Sequence, residues 1–376
     1  MTFAVCVLGA LWLAYLLWEK ARLNAARKKI KHIVHVNGIR GKSSVSRLTD
    51  AALRAGGFKV LTKTTGTDPV ILGTDGKPRP VKRFGCANVR EQARTLLLAA
   101  KEGADVLVIE CMAVQPELQR ACQHGILQAD VTVITNVRRD HADVMGETPD
   151  EIAASLSSTV PENGTLFTAE HTHTAPIKKA CRKNGSRFCE VFPAGDEGDA
   201  DFPENTALAL AVAEHLSVPR KKALEGIKTL YQRDPYVLSV HSWGKTVFVN
   251  AFSVNDPASL LIVKDYTEQK YALGGRDFVL LINNRVDRGS RAEDMTDFAA
   301  ACRPKEVLLL GAFQGYTRAR LKKLLPGVKI TSLDRAEALD PAAFKENTVL
   351  FAAGNIAGEG RRVMARVREE GGELVQ

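Results

Sequence analysis

The sequence has no C-x-x-C pair: its seven cysteines stand at 6, 86, 111, 122, 181, 189 and 302, odd in number and irregular in spacing. That speaks against a zinc site and fits free thiols in a reducing compartment. Aromatics make up 6 % of the chain and do not interleave with basic residues, and neither a helix-turn-helix nor a zinc-finger pattern is present. The net charge of +9 therefore reads better as a basic face toward a membrane or an anionic substrate than as a nucleic-acid footprint. Repeats and low-complexity tracts are missing. With 45 % hydrophobic and 25 % charged residues over 376 positions, the composition is that of a globular chain with ample core for two domains or one large one.

Charge is also absent from Thr2 to Trp18, a run that is almost wholly apolar. As a helix it would be roughly 25 Å long at about 1.5 Å per residue, at the short end of a membrane span. Trp12, Tyr15 and Trp18 suit interfacial anchoring. A secretory signal would want basic residues ahead of the apolar run; here Lys20, Arg22, Arg27, Lys28, Lys29 and Lys31 follow it. A core helix would rarely be so uniformly apolar. The expectation is a single-pass anchor over 1–19 and a basic juxtamembrane segment over 20–31, with the rest of the chain on the cytoplasmic side.

Residues 32–36 read as a short buried strand. Asn37, Gly38, Ile39, Arg40, Gly41, Lys42, Ser43 and Ser44 follow, and Val45, Leu48, Ala51, Ala52 and Ala55 then recur at helical spacing. Strand, glycine loop and helix come in the order a phosphate loop requires. Gly38 and Gly41 let backbone N–H groups turn toward phosphate oxygens, Lys42 supplies a mobile charge, and Ser43 offers a hydroxyl to Mg²⁺. The short form G-x-x-G-K-[ST] is met in full; the longer form would want glycine where Val36 stands. ATP and Mg²⁺ are the expected cofactors. The competing reading is a glycine turn that merely precedes Lys-Ser.

A metal–nucleotide site draws further ligands from neighbouring strand ends. Residues 105–109 read as a strand ending at Glu110, and 130–135 as another ending at Asn136, with Asp140, His141 and Asp143 beyond. Residues 58–61 read as a further short strand, after which Thr62 to Asp68 form a hydroxyl-rich loop that includes Thr65 and Thr67. Each of these alone could be a solvated loop residue.

Together, and in this order, the motifs resemble those of the Mur ligase superfamily. Residues 205–209, beginning at Asn205, resemble the asparagine–alanine helix that closes its central domain. Residues 255–259, beginning at Asn255, resemble the histidine–asparagine–proline loop of its last domain. The resemblance is closer to one branch, the ligase-like subunits of poly-γ-glutamate synthase (PgsB or CapB), through residues 37–43, 63–68, 110–114, 140–146 and 354–358. It implies an ADP-forming ligase in which Lys42, Glu110 and His141 are catalytic and Ser43, Glu110 and His141 hold Mg²⁺. Residues 37–44, Asn136, Arg285 and Arg288 would bind ATP, and Thr65, Thr67, Asn255 and Arg233 would meet substrate. Arg233 is the candidate for the arginine that Mur ligases carry between their last two domains. No residue is assigned to the family's carbamylated lysine. Only the anchor precedes the phosphate loop, which disfavours a muropeptide ligase.

The fold implied is α/β: a P-loop central domain over 32–232 and a smaller Rossmann-like domain over 233–376, behind the membrane helix. The activity implied is poly-γ-glutamate synthesis from glutamate through a γ-glutamyl phosphate, with membrane subunits as partners, room for a homo-oligomer and no nucleic acid. The alternatives are a membrane-attached NTPase or kinase that makes no amide, and a ligase of the folylpolyglutamate type.

Overall fold

The computed structural model describes residues 2–66, 69–81, 88–198, 201–231, 237–254, 256–286, 289 and 291–371. The chain divides into two compact units, with the main division between Tyr231 and Gln232.

The first unit is built on an eight-stranded sheet. Its strands are β1 (His32–Asn37), β2 (Val60–Thr64), β3 (Val70–Leu72), β4 (Pro78–Pro80), β5 (Val106–Glu110), β6 (Val131–Ile134), β7 (Thr165–Thr168) and β8 (Arg187–Glu190). Their spatial order is β4-β3-β2-β5-β1-β6-β7-β8, parallel except for the β2–β3–β4 meander at one edge. The central strands are apolar runs buried on both faces, as parallel strands covered by helices must be. β1 lies between β5 and β6, with Val36 level with Glu110 and Asn37 level with Ile134. The carboxyl ends of three strands thus meet at one height, the crevice in which α/β sheets collect ligands.

β2 differs from its expected position. Phe58 and Lys59 precede it, and Thr62, Lys63 and Thr64, read from the sequence as loop, are its buried carboxyl half. The reason is pairing. Thr62 donates to Asp50 at 2.6 Å and Arg47 to Thr64 at 3.3 Å, so these polar side chains enter a buried strand already satisfied.

Helix α1 (Thr2–Arg27) also differs, because it runs unbroken through two-thirds of the segment expected as a separate juxtamembrane stretch, residues 20–27 of 20–31. No glycine or proline interrupts residues 19–27, and Leu23, Ala26 and, just beyond the helix, Ile30 pack into the body against Leu96, Ala99 and Leu107. Burial of Leu23 and Ile30 contributes about 2 kcal/mol each. Asp130 fastens the junction: it pairs with Arg27 at 2.8 Å and His32 at 3.0 Å and accepts from the Ile33 N–H at 2.8 Å. Residues 3–27 form the one helix among the described residues long and apolar enough to cross a membrane, and its most apolar stretch is not covered by the body.

The second unit carries a six-stranded sheet of β9 (Ser239–Trp243), β10 (Thr246–Asn250), β11 (Asp277–Asn284), β12 (Glu306–Gly311), β13 (Lys329–Ser332) and β14 (Thr348–Gly354), in the order β13-β12-β11-β14-β10-β9. Only β9, which has no clear signal in the sequence, is antiparallel, forming a tight hairpin with β10. Trp243, Phe248, Leu281, Leu350 and Val363 centre its core.

One buried group sets a pH dependence. His35 on β1 is fully enclosed; its Nδ1 faces Gln123 Oε1 at 2.8 Å, while Nε2 has no partner among the described residues. The Gln123 amide nitrogen donates to the Ala129 carbonyl, so Oε1 accepts and the histidine proton sits on Nδ1. Burial moves its pKa from 6.5 down to about 4. The unfolded chain therefore takes up a proton that the native one refuses. The His35 contribution to stability should fall between pH 6.5 and 4, by about 3 kcal/mol in all, and be constant below. Urea midpoints of His35→Gln should lack this slope; an unchanged slope would assign it to another group.

Candidate active site

The phosphate loop joins β1 to helix α2 (Lys42–Ala55), so the helix amino terminus points at the crevice. Gly38 and Gly41 have φ of 124° and 80°, conformations that side chains rarely adopt. A Cβ on Gly38 would lie 2.1 Å from Thr135 Oγ1, and one on Gly41 2.7 Å from Asn205 Oδ1. The backbone here is pressed against its neighbours and can stay bare only as glycine.

Lys42 curls back over its own loop, with Nζ donating to the Gly38 carbonyl at 2.7 Å and the Ile39 carbonyl at 3.1 Å. Burial pushes its pKa down, and the nearby Glu110 opposes that shift. A desolvated ammonium held by two weak neutral acceptors is ready to exchange them for phosphate oxygens. Ser43 donates to Glu110 Oε2 at 2.8 Å, and the Thr65 N–H donates to the same oxygen at 2.7 Å. The Glu110 carboxylate is thus fixed through one oxygen, and Oε1 has no protein partner among the described residues. A hydroxyl and a carboxylate, both hard oxygen donors, already touch at the lip of the phosphate loop. That donor set fits Mg²⁺ or a similar divalent cation.

The Asn136 loop holds the phosphate loop from the other side. Asn136 accepts from the Arg40 N–H at 3.1 Å and donates to the Arg40 carbonyl at 3.0 Å, and Thr135 donates to that carbonyl at 2.6 Å. Asp140 pairs with the Arg40 guanidinium at 3.1 Å. His141 follows in a left-handed conformation at the start of the short helix Ala142–Met145. Its side chain is half exposed, 4.0 Å from Asp140. The structure brings Ser43, Glu110 and Thr65 together and does not bring His141 to them. Among the described residues no three His, Cys, Asp or Glu side chains converge on a common point. Asn37 turns its side chain inward to Gln119 at 2.8 Å, so only its backbone faces the loop.

Two residues of this site carry no signal of their role in the sequence. Asp201 is buried and accepts from Asn205 at 2.8 Å and from the Tyr231 hydroxyl; Ser44 bonds to the same pair. Burial raises the pKa of both Asp201 and Tyr231. Ser44 therefore braces the amino terminus of α2 from beneath, and Asn205, at the start of the helix Pro203–His215, is held against Gly41. Asp201 sits one helical turn before Asn205, which is a signal only after Asn205 is known to matter.

Residues 36–251 match the Mur ligase middle domain, and residues 237–370 match the C-terminal domain of poly-gamma-glutamate synthase CapB. The chain is 32 % identical to the PGA synthase CapB of Bacillus subtilis over 359 residues, covering 89 % of this chain and 90 % of that protein. It is 30 % identical to the capsule biosynthesis protein CapB of Bacillus anthracis over 390 residues, covering 98 % and 83 %. The chain belongs to the Mur ligase family, on its CapB branch. Its fold is also that of the bifunctional folylpolyglutamate synthase/dihydrofolate synthase of Yersinia pestis, with a TM-score of 0.65, 16 % identity and coverage of 96 % and 98 %.

In the second unit of this Mur ligase, Asp256 accepts from the Ser259 N–H at 2.9 Å and caps the helix Pro257–Lys270, which explains the Asp-Pro of that motif. Residues 354–358, part of the resemblance to the poly-γ-glutamate synthase subunits, form the loop leaving β14. Asn283 at the end of β11 clasps it, donating to the carbonyls of Asn355 and, at 3.0 Å, Ala357. Arg285 follows β11 and is partly buried. Thr67, Arg233, Asn255 and Arg288 lie outside the described residues. The described cysteines are free, and burial pushes the thiols of Cys111, Cys181 and Cys302 up to about 11 and that of Cys122 to about 12. None of those four is a nucleophile at neutral pH.

Proposed function

We propose that this Mur ligase extends poly-γ-glutamate, using ATP to phosphorylate a γ-carboxylate and the amine of an incoming glutamate to displace the phosphate. The observation that carries the reading is the Ser43–Glu110 contact at the lip of the phosphate loop, in a chain that matches CapB relatives over nearly its whole length. The Bacillus subtilis relative is named as a PGA synthase, and the Yersinia pestis enzyme of the same fold holds AMPPNP and a manganese ion.

The chemistry is set by the leaving group. A carboxylate does not accept an amine at neutral pH, because oxide would have to depart. Transfer of the γ-phosphoryl group from ATP to the carboxylate oxygen gives an acyl phosphate and ADP. The neutral amine then attacks the carbonyl carbon, the C–OP bond breaks, inorganic phosphate leaves, and the amine loses a proton. Lys42 and the backbone N–H groups of residues 41–44, at the amino terminus of α2, hold the phosphates and stabilise charge on the moving phosphoryl group, those of Ile39 and Arg40 being taken up by Asn136. Ser43 and Glu110 would hold the divalent cation, and that ion would neutralise phosphate charge when bound. Magnesium is the ion we assign. α1 crosses the membrane in this reading, with Lys20, Arg22, Lys28 and Lys29 at its cytoplasmic face, and partner membrane subunits handle the polymer.

The test is trapping. With ATP, Mg²⁺, glutamate, a short poly-γ-glutamate primer and hydroxylamine, γ-glutamyl hydroxamate should accumulate in step with ADP. Release of ADP by folded protein with neither hydroxamate nor longer polymer would sink the ligase and leave a membrane-attached NTPase.

A further inference from the structure

Lys63 has no place in the mechanism above, yet its side chain is fully buried. It lies on β2, whose pleat sends Thr62 and Thr64 toward Asp50 and Arg47 of α2 and Lys63 to the other face, against helix α3 (Arg90–Lys101). There its Nζ lies 3.3 Å from Glu91 Oε2, 3.4 Å from Gln92 Oε1 and 3.8 Å from Met112 Sδ. Glu91 is buried as well. The Gln92 amide in turn donates to the backbone carbonyl of Glu110 at 3.0 Å. The ammonium therefore holds the chain at Glu110, through Gln92, and two positions on, through Met112.

A buried ion pair is a poor way to stabilise a fold, because the desolvation of two charges consumes most of their attraction, and an apolar side chain of similar volume does as well or better. What the pair does supply is fixed direction. Glu110 has one carboxylate oxygen pinned by Ser43 and Thr65, so where its other oxygen points depends on where its backbone sits. That backbone is pinned by Gln92, and Gln92 by Lys63.

We propose that Lys63 is a positioning residue for the metal carboxylate: with its charge balanced by Glu91, it fixes Gln92 and through it the backbone of Glu110, and so sets the affinity of the site for its divalent cation. This rests on the assignment of Ser43 and Glu110 to that cation. Removal of such an outer partner typically weakens metal binding by about 10–100-fold.

The experiment uses the full chain in detergent, with the thermal stabilisation given by AMPPNP read as Mg²⁺ is titrated, and with EDTA as the metal-free reference. Lys63→Met should raise the half-saturating Mg²⁺ by about ten-fold or more and change the metal-free AMPPNP response by less than about two-fold, whereas Lys63→Arg should return the Mg²⁺ dependence toward wild type. A folded Lys63→Met protein with wild-type Mg²⁺ dependence overturns the proposal, and so does an equal loss of both responses, which marks general damage. Gln92→Leu keeps the Lys63–Glu91 pair and removes the amide that links Lys63 to the Glu110 backbone. It decides the matter where Lys63→Met does not fold: the same rise in half-saturating Mg²⁺ supports the proposal, and an unchanged value overturns it. Failure of the wild-type protein to respond to Mg²⁺ at all would instead remove the Ser43–Glu110 assignment.

Discussion

Lys42→Met is expected to lower kcat for glutamate-dependent ADP release by about 10³-fold while leaving the protein folded. The two halves of that expectation have separate causes. Loss of activity follows from where the ammonium sits. It is desolvated, its pKa is held down by burial, and its two acceptors are the carbonyls of Gly38 and Ile39, at the rim where phosphates are cradled. In such a site a positive charge acts on the transferring phosphoryl group without being screened by water. Retention of the fold follows from what methionine keeps. Its stem has nearly the length of the lysine stem, and what is lost is a donor to two loop carbonyls, those of Gly38 and Ile39, with no helix or sheet hydrogen bond broken. A melting temperature within a few degrees of wild type should therefore accompany the kinetic loss. Lys42→Arg is not expected to rescue, because a planar guanidinium is too broad for a pocket closed by two backbone carbonyls. More than about a tenth of wild-type kcat in Lys42→Met would mean that the charge acts elsewhere or not at all.

The phosphate loop was legible in the sequence because everything that makes it is local. A strand, two glycines three apart and an apolar helical repeat lie within two dozen residues, and the loop has no other way to fold. Glu110 was legible for a related reason: it is the first charged residue after an apolar strand run, and parallel strands in register end together. Direction was not legible. The sequence offers Asn37 and Asn136 as nucleotide ligands, and the structure turns one side chain into the core at Gln119 and closes the other on the Arg40 backbone. A polar residue beside a loop declares its chemistry, and only tertiary packing decides which way it faces. Partners far apart in the chain were beyond reach for the same reason. Ser44, Asp201 and Tyr231 belong to three distant segments, and none carries a local signal of the others. The short edge strands failed differently: β3 and β4 have three residues each, and the two prolines of β4 argue against a strand unless it lies at a sheet edge, where it does. β2 was displaced because hydroxyls and a lysine look like loop until Asp50, Arg47 and Glu91 are there to pair with them.

Gly38→Ala tests the frame on which all of this hangs, and its expected effect is the larger for binding: affinity for AMPPNP should fall by about 10²-fold or more, and stability by about 2–4 kcal/mol. A methyl at this position meets Thr135 Oγ1 at 2.1 Å and the Thr135 backbone nitrogen at 2.8 Å. Both atoms are engaged. Oγ1 donates to the Arg40 carbonyl at 2.6 Å, and the nitrogen donates to the Asn37 carbonyl at 3.0 Å, so pushing Thr135 aside loosens the end of β6 from β1 and releases the clasp on Arg40 together. Two causes are superposed, a collision and a backbone φ of 124° that an alanine does not reach without strain. A second substitution separates them. Thr135→Ala deletes the oxygen that collides but leaves the backbone nitrogen and the φ as they are. If the φ and the approach to the Thr135 backbone dominate, the double variant should bind AMPPNP no better than Gly38→Ala alone. If the collision with the Thr135 side-chain oxygen dominates, adding Thr135→Ala should recover most of the affinity. The 2.8 Å approach to the backbone nitrogen, which no side-chain change relieves, makes the first outcome the expected one. Wild-type affinity in the single variant would mean that the loop tolerates a Cβ where the structure has room for none.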